Sequence, residues 1–182
     1  MSSVALLIII LVVAAVAVAG LLVSFVSRRR QHGRQERARH EFGSEYERAV
    51  EEHGSEREAE QELRERRGRV ESEVQPLSEE SRRRYDDWWR QVEQTFVDDP
   101  EASLENADRV VREIMTERNF PMDAQREVSK GVGVIYPEVA EDLREAQRIH
   151  QDANDPQRRT DLEKMRQAIQ KYRSVYQCLT ER

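Results

Sequence analysis

Patterns that carry chemistry are what this sequence lacks. It has one cysteine, Cys178, so no internal disulfide can form, which suits a reducing compartment. Cys178 sits beside Leu179 in a helical pattern and reads as an ordinary thiol rather than a nucleophile. The four histidines, His32, His40, His53 and His150, are scattered, and none has a second ligand at metal-site spacing. There is no glycine-rich phosphate loop, nucleophile elbow or dinucleotide fingerprint. Asp98-Asp99 invites a metal or acid–base reading, but Pro100 behind it makes Asp99 a helix cap. The expectation is therefore no catalytic residue, no cofactor and no metal. Glycine and proline are also few, at 7 and 5, and no apolar run alternates. With Glu, Arg, Gln and Ala abundant, this points to helices throughout.

Charge is missing from one place only. Residues 4–26, VALLIIILVVAAVAVAGLLVSFV, are 23 positions without a formal charge. As a helix they would measure roughly 34 Å, enough to cross a hydrocarbon core of about 30 Å. A buried helix of a soluble protein would not need an apolar surface all round. A cleaved signal peptide could use Ala15-Val16-Ala17 or Ala17-Val18-Ala19, but it would need a basic segment first, and its core would stop near those alanines. The expectation is an uncleaved transmembrane anchor, residues 1–27. Small residues four apart, Ala15/Ala19 and Gly20/Ser24, would let such helices approach one another.

Arg28, Arg29, Arg30, Arg34, Arg37 and Arg39 follow directly, with Glu36 the one acid among residues 28–39. No Lys or Arg precedes the apolar run. Basic residues stay on the cytoplasmic side, so the N-terminus is expected outside and residues 28–182 in the cytoplasm. The collar of +5 also suits an anionic inner leaflet. The whole chain is −6, so residues 41–182 carry −11. An acidic body argues against nucleic acid as a partner, because affinity there rests on neutralising phosphates.

Residues 41–75 hold 12 Glu and six Arg in 35 positions. Pairs such as Glu60/Arg64 and Glu62/Arg66 support solvated helices, placed at about 35–53 and 56–74, with Gly54 between them and a capping box at Ser55-Glu56-Arg57-Glu58. A heptad seam would run Phe42, Tyr46, Ala49, His53, Glu56, Glu60, Leu63, Arg67, Val70, Val74. Four of these ten are charged or His, so only a weak coiled coil is expected. The segment, residues 28–75 with its collar, reads as charged juxtamembrane helices: a spacer, or a layer packed weakly on the rest.

Pro76 opens the last part, residues 76–182, expected to be a small helical bundle. Ser78 caps a helix with Tyr85, Trp88, Trp89, Val92 and Phe96, the densest aromatic cluster and the expected centre of the core. Setting Tyr85 at zero on a wheel of 100° per residue puts Trp89 near +40° and Trp88 near −60°. Trp89 is thus expected inside, and Trp88 at the rim where a partner can reach it. Asp99-Pro100 starts a helix with Leu104, Ala107, Val111, Ile114 and Met115, ended by Asn119 in a left-handed turn. Asp123 would cap a helix through Val128 and Val132, which Gly131 and Gly133 spoil. Pro137 opens a helix with Val139, Leu143, Ala146 and His150, and Asn154-Asp155-Pro156 is a turn. A capping box at Thr160-Asp161-Leu162-Glu163 leads into the stripe Leu162, Met165, Ile169, Tyr172, Tyr176, Leu179, to pack on the tryptophan helix or on a second copy.

Several of these residues together resemble an uncharacterised family of bacterial, chiefly actinobacterial, single-pass membrane-anchored helical proteins. They are Phe42-Gly43-Ser44-Glu45-Tyr46, Gln75-Pro76-Leu77-Ser78, Tyr85 with Trp89, Phe96-Val97-Asp98-Asp99-Pro100, Ala107-Asp108, and Asp161-Leu162 leading to Tyr172-Arg173. The similarity spans most of residues 42–182. It departs at Asn119, where the family has Gly, and at residues 130–136, which are more apolar and Gly-rich. What it implies is an anchor followed by a helical body, with no activity, substrate or catalytic residue. The expected role is a membrane-tethered interaction or scaffold module, binding a protein partner or a second copy. A lipid-surface or envelope-stress protein that senses anionic membrane through its collar is the alternative, and an enzyme comes third.

Overall fold

The computed structural model describes residues 36–121, 125–155 and 161–181. The apolar run 4–26 and Arg28, Arg29, Arg30 and Arg34 lie outside them, as do Asp123, Pro156 and Thr160. Among the described residues no helix is long and apolar enough to cross a membrane. The protein is all-α, with no strand among the described residues. The chain divides into two units, Met1–Glu41 and Phe42–Arg182. Residues 36–41 of the first are helical.

The second unit has seven helices among its described residues: α1 (Ser44–His53), α2 (Glu56–Glu73), α3 (Glu79–Asp98), α4 (Pro100–Glu117), α5 (Gln125–Ile135), α6 (Pro137–Ala153) and α7 (Leu162–Glu181). Their starts are chemical. Ser78 Oγ accepts from the Ser81 N–H at 3.0 Å, and Asp99 Oδ1 accepts from the Ala102 N–H at 3.0 Å, with Pro100 next in the first turn. Two expected capping boxes take other forms. Ser55 is the N-cap of α2 but makes no side-chain cap bond. At α7 it is Asp161 whose Oδ1 accepts from the Lys164 N–H, at 2.8 Å. Asp161 reaches the third N–H on, the ordinary reach of an N-cap carboxylate.

Gly43, at φ 54°, separates α1 from the helical residues before it, so the expected helix over 35–53 is two pieces. A side chain there would be strained, and its Cβ would stand 3.4 Å from Pro137 Cβ. The break turns Phe42 and Tyr46 inward. Both are buried, with Ala49, Ala59, Leu63 and Val70, and this corrects the reading of α1 and α2 as a spacer or weak layer. The two helices form a hairpin packed on each other; α2 lies on α5, and α1 on α5 and α6. The polar heptad positions did not prevent this, because the facing elements are α5 and α6 rather than a second long helix.

The centre of the core also differs from expectation. In α3, Tyr85, Trp89 and Val92 are buried, but Phe96 is only half-buried. The centre lies at α4, which packs against α3 and α7 and buries Leu104, Ala107, Val110, Val111, Ile114 and Met115. Burying one such aliphatic side chain is worth about 1.5–3 kcal/mol, so α4 alone accounts for much of the folding drive. Ser103 Oγ donates to the Val92 carbonyl at 2.8 Å and joins α4 to α3. α7 packs on α6 and α4, with Trp89 of α3 stacked on Tyr176 at 4.7 Å. Two neighbours widen its buried face beyond one seam: Ala168 and Val175 are buried, Ile169 is half-buried, and Leu162 is 52% exposed.

Behind α4, Asn119 takes the left-handed conformation at φ 61° and its side-chain N–H donates to the Glu73 carbonyl at 3.2 Å. The neighbouring Arg118 is 3% exposed. Its guanidinium donates to the Gln75 carbonyl at 3.0 Å, the Leu179 carbonyl at 2.8 Å and the Tyr136 hydroxyl at 2.9 Å.

Gly131 and Gly133 do not break α5, which runs through both. Gly133 has a packing role: a Cβ there would stand 2.6 Å from Glu45 Cγ, and Glu45 is a buried side chain that cannot swing away. Glycine lets α1 approach α5 this closely. We expect Gly133→Ala to destabilise the fold by about 1–3 kcal/mol despite the better helix propensity of alanine. Gly68 in α2 has open space around it, so Gly68→Ala should stabilise by up to about 1 kcal/mol. Chemical denaturation of the two variants checks the opposite signs.

Candidate functional site

A single stripe on α6, Arg144, Gln147, Arg148 and Gln151, repeats at three and four residues and stays beside the buried face of that helix. On α1 the matching stripe is Glu45, Arg48 and Glu52. The two stripes, with Arg66 of α2 and Lys130 of α5, line an open cavity of about 640 Å³. That size suits a small ligand.

Its floor is a buried ion pair. Glu45 is buried and binds Arg144 Nη1. Arg144 Nη2 also donates to Ser44 Oγ and Glu141 Oε2, each at 2.9 Å. Arg144 thereby spends its donors on α1 and on its own helix, and fastens the hairpin to α6. A second fastening lies nearby: Arg67 Nε donates to the Val134 carbonyl at 2.8 Å while its guanidinium lies over the buried Phe42 ring, 4.7 Å from the centroid. At the mouth, Lys130 Nζ holds both oxygens of Glu52, at 2.8 and 2.9 Å. This bond, with lesser help from Arg66, holds the Glu52 carboxyl below the usual carboxylate range.

Of the other cations of the cavity, Arg148 is bound to Glu145 and Asp152, and Arg66 and Arg48 each meet one carboxylate. Arg66, with a side chain 14% exposed, meets Glu62 Oε1 through Nη2 at 2.6 Å. Arg48 meets Glu141 through Nη2 at 3.1 Å. Among the described residues, the remaining nitrogens of both guanidiniums have no partner. Gln147 is 8% exposed and its amide makes no hydrogen bond among the described residues. Glu51 at the edge is exposed and likewise without an ion-pair partner there.

The residues singled out from the sequence lie elsewhere. Of the collar, Arg37 and Arg39 are exposed. Trp88, on α3, is half-buried and stacks on Tyr85 at 6.4 Å, with no hydrogen bond to its indole N–H among the described residues. Trp89 is buried and donates to Glu93 Oε1 at 3.0 Å. Among the described residues no group of His, Cys, Asp and Glu is placed to hold a metal. His150 faces Glu105 at 3.1 Å, and Cys178 Sγ lies 3.9 Å from Glu138 Oε1. Sequence reasoning missed the cavity, although its signal was present: two polar stripes at helical spacing, each beside an apolar one. Compared with family models, curated proteins and solved structures, the chain matches none.

Helices α3 and α7 carry three buried phenols, each bonded to a carboxylate. Tyr85 donates to Glu117 Oε2 at 2.8 Å, Tyr172 to Asp108 Oδ1 at 2.9 Å, and Tyr176 to Asp86. Burial first, and then the carboxylate beside each, pushes all three phenols up, Tyr85 to about 12. A phenol ionises near 10 in the unfolded chain, so the fold holds these protons longer than the unfolded state does. Their contribution is complete below pH 10 and is lost as pH rises through the folded values. Denaturation between pH 9 and 12 should therefore show stability falling, less steeply in Tyr85→Phe, while absorbance shows the folded phenols titrating late. Phenols that all titrate near 10 in the folded protein would contradict this.

Proposed function

We propose that the chain is a single-pass membrane protein, its N-terminus outside, whose helical body is a cytoplasmic protein-interaction module. The observation that carries this reading is the uncharged run of 23 residues with six arginines in the 13 positions after it. The body adds a contact residue. Trp88 presents a large aromatic face that the fold only half covers, beside buried Trp89, and tryptophan supplies much of the binding energy where it is buried by a partner. The partner is a protein, a second copy included. The resemblance to actinobacterial anchored proteins agrees with an anchor and a helical body. A second reading, a lipid-surface protein, rests on the net +5 of residues 28–39 and has the collar itself bind anionic lipid.

A reporter fused after Arg182 should work in the cytoplasm and be silent outside; activity outside only would overturn the orientation. For the interaction, cross-linking of the full chain in membranes should give a discrete complex that Trp88→Ala loses and Trp88→Phe keeps. Trp88→Ala should leave the helical circular dichroism intact, because the ring is at the rim. If the complex persists in Trp88→Ala but falls away when the collar arginines become glutamine, the lipid-surface reading replaces this one.

A further inference from the structure

The seam between the hairpin and α6 is held by charge more than by apolar contact. Of the side chains that line the cavity there, Ala49 alone is apolar. Three ion pairs cross from α1 to the body. Glu45 is bound to Arg144, Arg48 meets Glu141 at 3.1 Å, and Glu52 meets Lys130 at 2.8 Å. Glu141 also accepts from Arg144 at 2.9 Å. Arg48, Glu141, Arg144 and Glu45 thus form a chain of alternating sign that passes from α1 to α6 and back. The other cations of the lining, Arg66 and Arg148, pair within their own helices. The charges of the cavity therefore serve to join its two walls.

The apolar hold on the hairpin is small. α2 buries Ala59, Leu63 and Val70 among its 18 residues, and α1 adds Tyr46 and Ala49, with Phe42 just ahead. α4 buries six aliphatic side chains in the same length. The hairpin packs on α5 and α6, and its two ends are places where the backbone can turn without breaking a helix. Gly43, at φ 54°, is one; residues 74–78, which are not helical, are the other. Once off its support, α1 with 10 residues and the highly charged α2 would not stay helical in water.

We propose that the α1–α2 hairpin is a latch sensitive to ionic strength, which leaves α5 and α6 as one cooperative unit while α3, α4, α6 and α7 stay folded. Opening uncovers Phe42, Tyr46 and Leu63, an apolar surface that the closed state hides. Arg118 bounds the unit, because its bond to the Gln75 carbonyl lies just past α2. Salt acts through screening. The pairs Glu52–Lys130 and Arg48–Glu141 reach solvent and lose attraction as salt rises, whereas the packing around α4 does not depend on charge. The latch is independent of the Trp88 surface and of how the chain is anchored.

The test is segment-resolved hydrogen exchange of the full chain in neutral detergent, between about 0.01 M and about 1 M potassium chloride, over which the screening length falls from roughly 30 Å to 3 Å. Amides of α1 and α2 should exchange together, through an opening more frequent than the one that releases α4. That opening should rise about tenfold with salt, as two solvated ion pairs imply, while α4 stays level. Lys130→Glu should open the hairpin at low salt, and Glu52→Lys added to the same chain should close it again, a rescue that loss of side-chain packing alone would not give. Glu45→Gln keeps the shape of the side chain against Gly133 and should speed exchange in the hairpin but not in α4. If that variant fails to fold, the exchange of charges between Lys130 and Glu52 decides alone. Hairpin amides that exchange only with α4, α1 and α2 opening separately, an opening indifferent to salt, or no rescue by the exchanged pair would overturn the proposal.

Discussion

A buried guanidinium without a carboxylate holds the helical body together. Arg118 follows α4, and among the described residues no acid pairs with it. Its charge is balanced by oxygens at the ends of three other elements: the Gln75 carbonyl just beyond α2, the Leu179 carbonyl in the last turn of α7, and the Tyr136 hydroxyl between α5 and α6. Carbonyls at helix C-termini are unsatisfied within the helix and carry the negative end of the helix dipole, so the Leu179 oxygen needs a donor as much as Arg118 needs acceptors. The aromatic faces of Phe120 and Tyr136, 5.5 and 5.7 Å from the guanidinium carbon, complete the enclosure. The Gln75 N–H returns a bond to the Arg118 carbonyl at 2.9 Å, and Asn119 reaches Glu73. Without this junction, α7 would end in a buried carbonyl with nothing to meet it.

The consequence reaches the cavity. Arg118 fixes the far end of α2. Arg67 on the Val134 carbonyl, and Glu45 on Arg144, fix the hairpin against α5 and α6. The cavity is the space left between a hairpin held at these points and the helix it faces. Its shape therefore depends on contacts outside its own lining, Gly133 included, because that glycine sets how close α1 stands to α5.

Local chemistry made much of the fold legible. Ser78 and Asp99 name their helix starts, Asn119 names an end, and the stripe Leu104, Ala107, Val111, Ile114, Met115 names the buried face of α4. Each of these depends on groups within one or two turns. Trp89 was separable from Trp88 for the same reason, since 3.6 residues per turn is enough to order two neighbours. What escaped was whatever depends on a distant partner. Gly131 and Gly133 look like breakers until α1 is seen to lie against Gly133. Arg118 resembles any surface arginine, because nothing near it in sequence announces that two helix ends converge there. Phe42 and Tyr46 are diluted among acids, and only the turn at Gly43 and the proximity of α6 show why they are buried. The cavity fell between these cases: its stripes were readable, but not that they face one another.

Arg118 couples the hairpin to the rest of the body. Segment-resolved hydrogen exchange of the full chain, wild type against Arg118→Gln, tests it most directly. Faster exchange should appear together at the end of α2, in the last turn of α7 and around Tyr136, because all three lose the same donor. Acceleration confined to the end of α4, with α2 and α7 unchanged, would show that Arg118 satisfies itself locally and that the hairpin is held by other contacts.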